Sequence, residues 1–304
     1  MEMPLVSIVT INYDHSEVTA ELLKSLRNVT YPELEIIVVD NNSPNDDPEI
    51  LSVSFPEIQL IRSDENLGFA GGNNLGIRKA KGKYILLLNN DTEVDPGFLE
   101  PLVAKLESDP TIGAVSPKIR FFSTPDTLQY AGFTPLNPYT IRSTGRGYGI
   151  RDTGQFEQDA PTAYLHGAAM MVPVEVIRKV GLLAECYFLY YEELDWSERI
   201  RNAGYRLLYI HNSLVFHKES ISTGKMSPMK TYYMNRARLL YLRRNVTGLK
   251  FPVAVLYQLF IAIPKNALKF LFERNPGHFT AYRQAVLWHV KHLSAKNIHS
   301  DPTF

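Results

Sequence analysis

Short apolar runs rich in Ile, Val and Leu alternate, over the first two thirds of the chain, with segments whose apolar positions recur every three or four residues. Leu5–Ile11 reads as a β-branched strand. From Glu17 to Val29 the residues Val18, Leu22, Leu23 and Leu26 fall on one helical face, with Ser16 as the expected N-cap. Leu34–Val39 is a second buried strand, and a proline-marked stretch leads to a short one at Ile58–Ile61. A glycine-opened helix from Phe69 to Lys79 runs into the strand beginning at Tyr84. Gly97–Glu107 reads as a helix, Ile112–Val115 and Gly167–Val172 as strands, Glu193–Ala203 as a helix, and Tyr205–Ile210 and Leu214–Phe216 as two short strands. Strands alternating with helices of this length predict an α/β fold, a doubly wound and mainly parallel sheet flanked by helices.

Two stretches break the rhythm. Residues 120–163 are rich in Thr, Pro, Gly and Tyr and read as an irregular, mobile or substrate-shaping insertion. Beyond Ser227 the chain becomes helical. There, Phe251–Ile263 is an apolar run ending at Pro264-Lys265, shorter than the roughly 20 residues that cross a hydrocarbon core. A second apolar piece, Ala267–Phe272, is interrupted by Lys269. An in-plane interfacial helix and a helix packed on the sheet domain are both open readings of this run, and the charge alongside it favours the first. The expected organisation is a sheet domain over residues 1–224, and a basic helical extension over 225–304.

Composition changes this picture little, except through charge. Hydrophobic residues make up 45% and charged residues 21%, as in ordinary globular chains. The single cysteine, Cys186, excludes an intramolecular disulfide framework and fits a reducing compartment. The first residues carry no basic stretch of the secretory type, so no signal peptide is expected. Net charge is zero, but residues 225–304 hold 13 Lys and Arg against two acids, which leaves 19 basic and 30 acidic residues elsewhere. This asymmetry points the extension at an anionic surface. The acidic balance of the sheet domain argues against nucleic acid as a partner.

Candidate chemistry gathers at strand ends, where open parallel sheets bind ligands. The second strand runs into Asp40, which suits either a hydrogen bond to the imide N–H of a uracil or thymine ring or a helix cap. Tyr84–Leu88 stops on Asn89-Asn90-Asp91; Asp91 is a hard oxygen ligand for Mg²⁺ or Mn²⁺ bridging a diphosphate, or another cap. Between them, Asn66 to Asn73 is a glycine-rich entry into a helix, suited to phosphate approach or to a tight turn. Glu192, Glu193 and Asp195 cluster at a helix start, where mutual repulsion raises pKa values toward those of a general base, although acids are favoured there in any case. His217 follows an apolar strand, either as a metal ligand or as a structural histidine.

With Asp40, Asp91, Glu193 and His217 in this order, the chain resembles the inverting glycosyltransferases of family 2, which have the GT-A fold. The resemblance runs from Leu5 to about His217, more weakly to Asn245. It is carried by Ser7–Tyr13, Val39–Ser43, Asn66–Asn73, Leu88–Thr92, Gly167-Ala168 and Tyr191–Trp196. Among its subgroups the chain is most similar to the bacterial rhamnosyltransferases and galactofuranosyltransferases of cell-surface polysaccharide synthesis.

The resemblance implies a role for each motif. Asp40 would hold the nucleotide base, and Asn66, Gly71 and Asn73 would line the ribose and diphosphate. Asn89-Asn90-Asp91 would sit at the metal-binding D-X-D position, with Asn replacing the first Asp, and His217 would complete the coordination of Mg²⁺ or Mn²⁺. Glu193 would be the base, a Glu where Asp is commoner, with Gly167, Glu192, Asp195 and Trp196 shaping the acceptor pocket. It further implies a nucleotide-diphospho-sugar donor, dTDP-rhamnose or a UDP-sugar, and a glycan or polyprenyl-linked acceptor. The enzyme would be cytoplasmic and peripheral on the inner face of the plasma membrane. A sugar-1-phosphate nucleotidyltransferase would need a glycine-rich N-terminal loop with a basic residue, which Asn12–His15 lacks. A catalytically silent membrane-associated binding subunit has only Asn89 in its favour.

Overall fold

The computed structural model describes residues 3–218, 227–294, 298 and 304, so the expected boundary between residues 224 and 225 lies outside the described residues. The first half reads β1 (Val6–Asn12), α1 (Ser16–Leu26), β2 (Leu34–Asp40), α2 (Glu49–Ser54), β3 (Ile58–Arg62), α3 (Gly68–Ile77), β4 (Tyr84–Leu88), β5 (Thr92–Val94) and α4 (Leu99–Ser108). It continues with β6 (Ile112–Phe121), β7 (Leu128–Tyr130), β8 (Ala160–Pro161), β9 (Ala169–Pro173), α5 (Val174–Val180), α6 (Glu192–Asn202) and β10 (Arg206–His217). The C-terminal part is α7 (Pro228–Asn245), α8 (Lys250–Tyr257), α9 (Ile263–Phe272) and α10 (Pro276–Lys291).

One mixed sheet runs β3-β2-β1-β4-β9-β6-β10-β5, with β7 added to β6 and β8 to β10. Strands β1 to β4 pair in parallel, as do β6 and β10, while β9 lies antiparallel between β4 and β6. Alternate side chains serve opposite faces. Ile8, Leu86 and Leu88 pack with Leu22 and Leu23 of α1 and Leu99 and Leu102 of α4, whereas Val9, Ile85 and Leu87 pack with Ile77 of α3, Ile177 of α5 and Trp196 of α6. The expected α/β architecture is therefore the observed one.

Several local expectations change. Ser16 is buried inside α1 rather than capping it, and its backbone N–H is met from outside by Asp46 Oδ2 at 2.7 Å. The two short strands after residue 205 are one strand, β10, with a register shift between Ile210 and Leu214. Residues 120–163 are largely irregular, as expected, but anchored: the Asp152 side chain takes Lys118 Nζ at 3.2 Å and Arg120 Nη2 at 2.5 Å. A third core cluster joins Tyr187 and Tyr191 to Ala237, Leu240 and Tyr241 of α7 and Ala254 of α8, so the extension is docked on the sheet domain.

The apolar run does not stop at Pro264. A π-helical turn at Gln258–Ala262 links α8 to α9, and Lys250–Phe272 forms one rod of 23 residues, long and apolar enough to cross a membrane by length and composition. A proline at position i removes an N–H and crowds the carbonyl of residue i−4. Here that carbonyl belongs to Phe260, inside the π turn, where the wider spacing absorbs the conflict.

Candidate active site

Asn12 and Asp40 are register partners at the carboxyl ends of β1 and β2. Asn12 Nδ2 donates to Asp40 Oδ1 at 3.0 Å, and Ser43 Oγ donates to the same oxygen at 2.6 Å. Thr19 Oγ1 donates to Asn12 Oδ1 at 2.8 Å and accepts from Asn90 Nδ2 at 3.0 Å, so one buried polar chain connects Asp40 to Asn90. Among the described residues, Asp40 Oδ2 receives only the Ser43 backbone N–H, at 3.2 Å.

The glycine-rich entry to α3 is committed differently from the expectation. The N–H of Leu67 is taken by Asn41 Oδ1 at 3.0 Å, that of Gly68 by Asn66 Oδ1 at 2.9 Å, and that of Phe69 by Phe188 O at 2.6 Å. These three donors are thus already engaged, and the expected phosphate cradle is corrected to an internally capped helix start. A Cβ on Gly71 would lie 2.7 Å from Leu67 Cβ, and one on Gly76 would strike Val9. Asn73 is buried and donates to Phe69 O. Gly71 and Asn73 thus contribute to the close packing of α3.

The end of β4 is arranged otherwise. Asn89 is half-buried and tied through its backbone N–H to Ala168 O at 2.9 Å. Asp91 is 7% exposed, and the antiparallel pairing of β5 with β10 sets Thr92 opposite His217. His217 Nε2 then lies 3.0 Å from Asp91 Oδ1 yet has no partner in hydrogen-bond geometry. Its Nδ1 is 2.8 Å from Gln129 Oε1. The carboxylate and the amide thus bracket the two ring nitrogens of His217. A carboxylate oxygen beside an imidazole nitrogen is a donor pair whose chemistry fits Mn²⁺ or Mg²⁺. Among the described residues no third His, Cys, Asp or Glu joins them.

Gln129 is 4% exposed on β7 and had no signal in the sequence beyond its place in the Thr- and Gly-rich stretch. His166 was missed too. Its ring lies edge-on to His217 at 6.0 Å, its Nδ1 accepts from the Ala168 N–H, and burial, helped by the nearby His217, pushes it down to about 3, so it is neutral.

Tyr191 adopts a left-handed conformation (φ 71°) and opens α6. Glu193 lines a cleft of about 250 Å³ with Leu136, Ile141, Arg142, Tyr191 and Arg238. A Cβ on Gly167 would sit 3.8 Å from Glu193 Cγ, so Gly167 leaves space beside this carboxyl. Burial pushes Glu193 up to about 7. Burial, with the charge of Glu193 second, drives Glu192 well above the usual carboxylate range, and its Oε2 is buried without a partner.

Asp195 and Trp196 do not reach the cleft, which corrects their assignment to the acceptor. Asp195 is fully buried and receives Arg199 Nε, Arg244 Nε and Asn245 Nδ2, each at 2.9 Å. Burial alone would raise it, but Arg199 and Arg244 hold it below its ordinary value. Trp196 is fully buried too, with Nε1 donating to Gly181 O at 2.9 Å.

A hydrogen-bonded strand-end carboxylate, a carboxylate–imidazole corner and a carboxyl poised near neutrality thus lie along the strand ends of one sheet. The family model described as "Glycosyl transferase family 2" matches residues 7–181. The chain belongs to glycosyl transferase family 2. This family 2 enzyme is 24% identical over 247 residues to an N-acetylglucosaminyl-diphospho-decaprenol L-rhamnosyltransferase of Mycobacterium tuberculosis, covering 72% of this chain and 77% of the relative. It is 29% identical over 203 residues to the low-salt glycan biosynthesis hexosyltransferase Agl10 of Haloferax volcanii, covering 64% and 61%.

Among solved structures, GalNAc-T7 with UDP, GalNAc and Mn²⁺ superposes on the transferase with a TM-score of 0.67 at 16% identity, over 95% of this chain and 58% of that one. A mannosyltransferase of Pyrobaculum calidifontis with GDP-Man and Mn²⁺ gives 0.58 at 17% identity, over 98% and 83%. At these identities the two structures establish the shared GT-A fold, and the first is matched over little more than half its length.

Proposed function

We propose that this family 2 transferase moves a sugar, with inversion, from a nucleotide-diphospho-sugar to a hydroxyl of a lipid-linked glycan acceptor. The observation that carries this reading is the pairing of two unlike centres on one sheet edge: the Asp91–His217 corner and the Glu193 carboxyl raised to about 7. A base near neutrality accepts a proton from an attacking hydroxyl without being idle at physiological pH. Glu193 takes that proton as the acceptor oxygen bonds to the anomeric carbon, and the bond to the donor phosphate breaks on the opposite side. Asp91 and His217 would hold a divalent cation, which when bound supplies positive charge against the departing diphosphate. Asp40 Oδ2 is the oxygen of that carboxylate left for the nucleotide base. The rhamnosyltransferase relative favours dTDP-rhamnose, with UDP-sugars next.

We further place the enzyme at the cytoplasmic leaflet, with Lys250–Phe272 lying in the plane of the membrane. Phe260 and Phe272 are 73% and 81% exposed on this helix, and Lys265 and Lys269 border its apolar surface. Gln258, near its middle, donates to Tyr139 O of the sheet domain at 2.8 Å. A spanning orientation would draw that attachment toward the bilayer centre, so the in-plane orientation is favoured. Attraction of about 1 kcal/mol per Lys or Arg near an anionic surface adds to the apolar contact.

A donor screen by nucleoside-diphosphate release, with and without Mn²⁺, tests the reaction. Release should require one sugar donor, an acceptor and the metal. Full transfer by Glu193→Gln would overturn the assignment of the base. For the membrane, flotation with anionic vesicles should exceed that with zwitterionic ones, and equal flotation would refute the charge contribution.

A further inference from the structure

The cleft beside Glu193 contains more positive charge than proton transfer requires. Arg142 lies on the loop carrying Ile141, and Arg238 on α7. Arg238 Nε donates to Tyr191 Oη at 3.1 Å, and Tyr191 Oη donates to Ile141 O at 3.1 Å, so this loop, the start of α6 and α7 are joined around one opening. Arg238 Nη1 is turned to Asn235 Oδ1 at 3.2 Å. Among the described residues, no carboxylate pairs with the guanidinium of Arg142 or Arg238. Other arginines of α7 have internal roles: Arg244 binds Asp195, Arg236 donates to Cys186 O, and Arg243 donates to His292 O.

We propose that Arg142 and Arg238 form an anion subsite for the diphosphate of a lipid-diphosphate-linked sugar acceptor. Its sugar hydroxyl would reach Glu193, and its hydrocarbon chain would leave along Lys250–Phe272. This inference rests on the proposed lipid-linked acceptor and names the part of it that the protein grips. Planar guanidinium groups match phosphate oxygens in pairs, and two observations add to that match. The cleft, at about 250 Å³, is smaller than the roughly 300–1,000 Å³ that holds a whole small molecule, so it accepts a headgroup while the remainder stays outside. Its rim also meets the apolar helix directly: Ile141 packs in the same cluster as Ala254, Gln258 binds Tyr139 O, and Leu256, Leu259 and Phe260 are exposed alongside.

The test is calorimetric titration of the full chain with farnesyl diphosphate, farnesol and inorganic diphosphate, in EDTA so that the metal corner does not capture phosphate. Farnesyl diphosphate should bind more tightly than either of the others. Arg142→Ala should weaken it by roughly tenfold and Arg238→Ala by at least as much, with farnesol binding unchanged. Arg142 is exposed and supports no described side-chain contact, so its variant keeps the test independent of folding. Farnesyl diphosphate affinity equal to wild type in Arg142→Ala, or farnesol binding as tightly as farnesyl diphosphate, would overturn the subsite. Binding here needs no donor, so a failed donor screen would refute the transfer reaction and leave this result standing. Conversely, transfer with unaltered affinity in the arginine variants would refute the subsite alone.

Discussion

Two carboxyl-bearing regions of the same sheet edge treat their polar groups in opposite ways. At the ends of β1 and β2, Asp40, Asn12, Thr19 and Asn90 form a closed chain of hydrogen bonds in which the buried groups support one another. At the end of β4 and the start of α6, His217 Nε2 and Glu192 Oε2 are buried with no hydrogen-bond partner among the described residues, and burial raises Glu193 to about 7. Buried polar groups are normally satisfied, and leaving one open costs about 1–3 kcal/mol. The two regions therefore differ in how completely their buried polar groups are satisfied among the described residues.

That contrast can be broken experimentally. The largest effect is expected for Glu193→Gln, with the transfer rate down by about 10²–10⁴ and donor binding unchanged by equilibrium titration. In the wild type, kcat/KM should fall below a pH of about 7 as Glu193 takes up its proton, and this acid limb should be absent from the residual activity of the variant. Two residues along, Asp195→Ala should act on folding, losing about 3–5 kcal/mol in chemical denaturation because Arg199 and Arg244 lose their shared carboxylate. Gln129→Leu should weaken Mn²⁺ binding by about 10–100-fold, read by electron paramagnetic resonance, while Gln129→Glu retains most of it, since either oxygen can hold the Nδ1 proton of His217.

The smallest effect concerns stability. The folded carboxyl of Glu193 is raised from an ordinary 4.5 to about 7, so the folded state favours the proton and loses stability as pH rises through that window. Glu193→Gln should therefore unfold later than wild type at pH 8, by about 1–3 kcal/mol, and the gap should close below about pH 4.5.

The strand ends were legible because a buried strand that stops on a carboxylate leaves a sharp polarity step, as at Asp40 and Asp91. Directions around α6 were less so. At about 100° per residue, Asp195 points roughly 200° away from Glu193, into the arginines, and Trp196 continues round into the core. A run of acids in sequence is thus not a run of acids in space. Gln129 left no trace because β7 is only three residues long and its role depends on an imidazole 88 positions away. Pro264 misled through a rule that holds for a regular helix and fails beside a π turn. The arginines of α7 are alike in sequence, and only their partners separate Arg244 from Arg238.

The antiparallel pairing of β4 with β9 carries a consequence for alignment. Asn89 donates to Ala168 O, two residues before Asp91 on one side and one residue after Gly167 on the other, with Glu193 against Gly167. The spacing between the Asp91 corner and the Glu193 carboxyl is therefore tied to a ladder whose rungs cannot slip without turning the whole strand inside out. The two parts of the candidate site inherit the mechanical tolerance of a β-sheet.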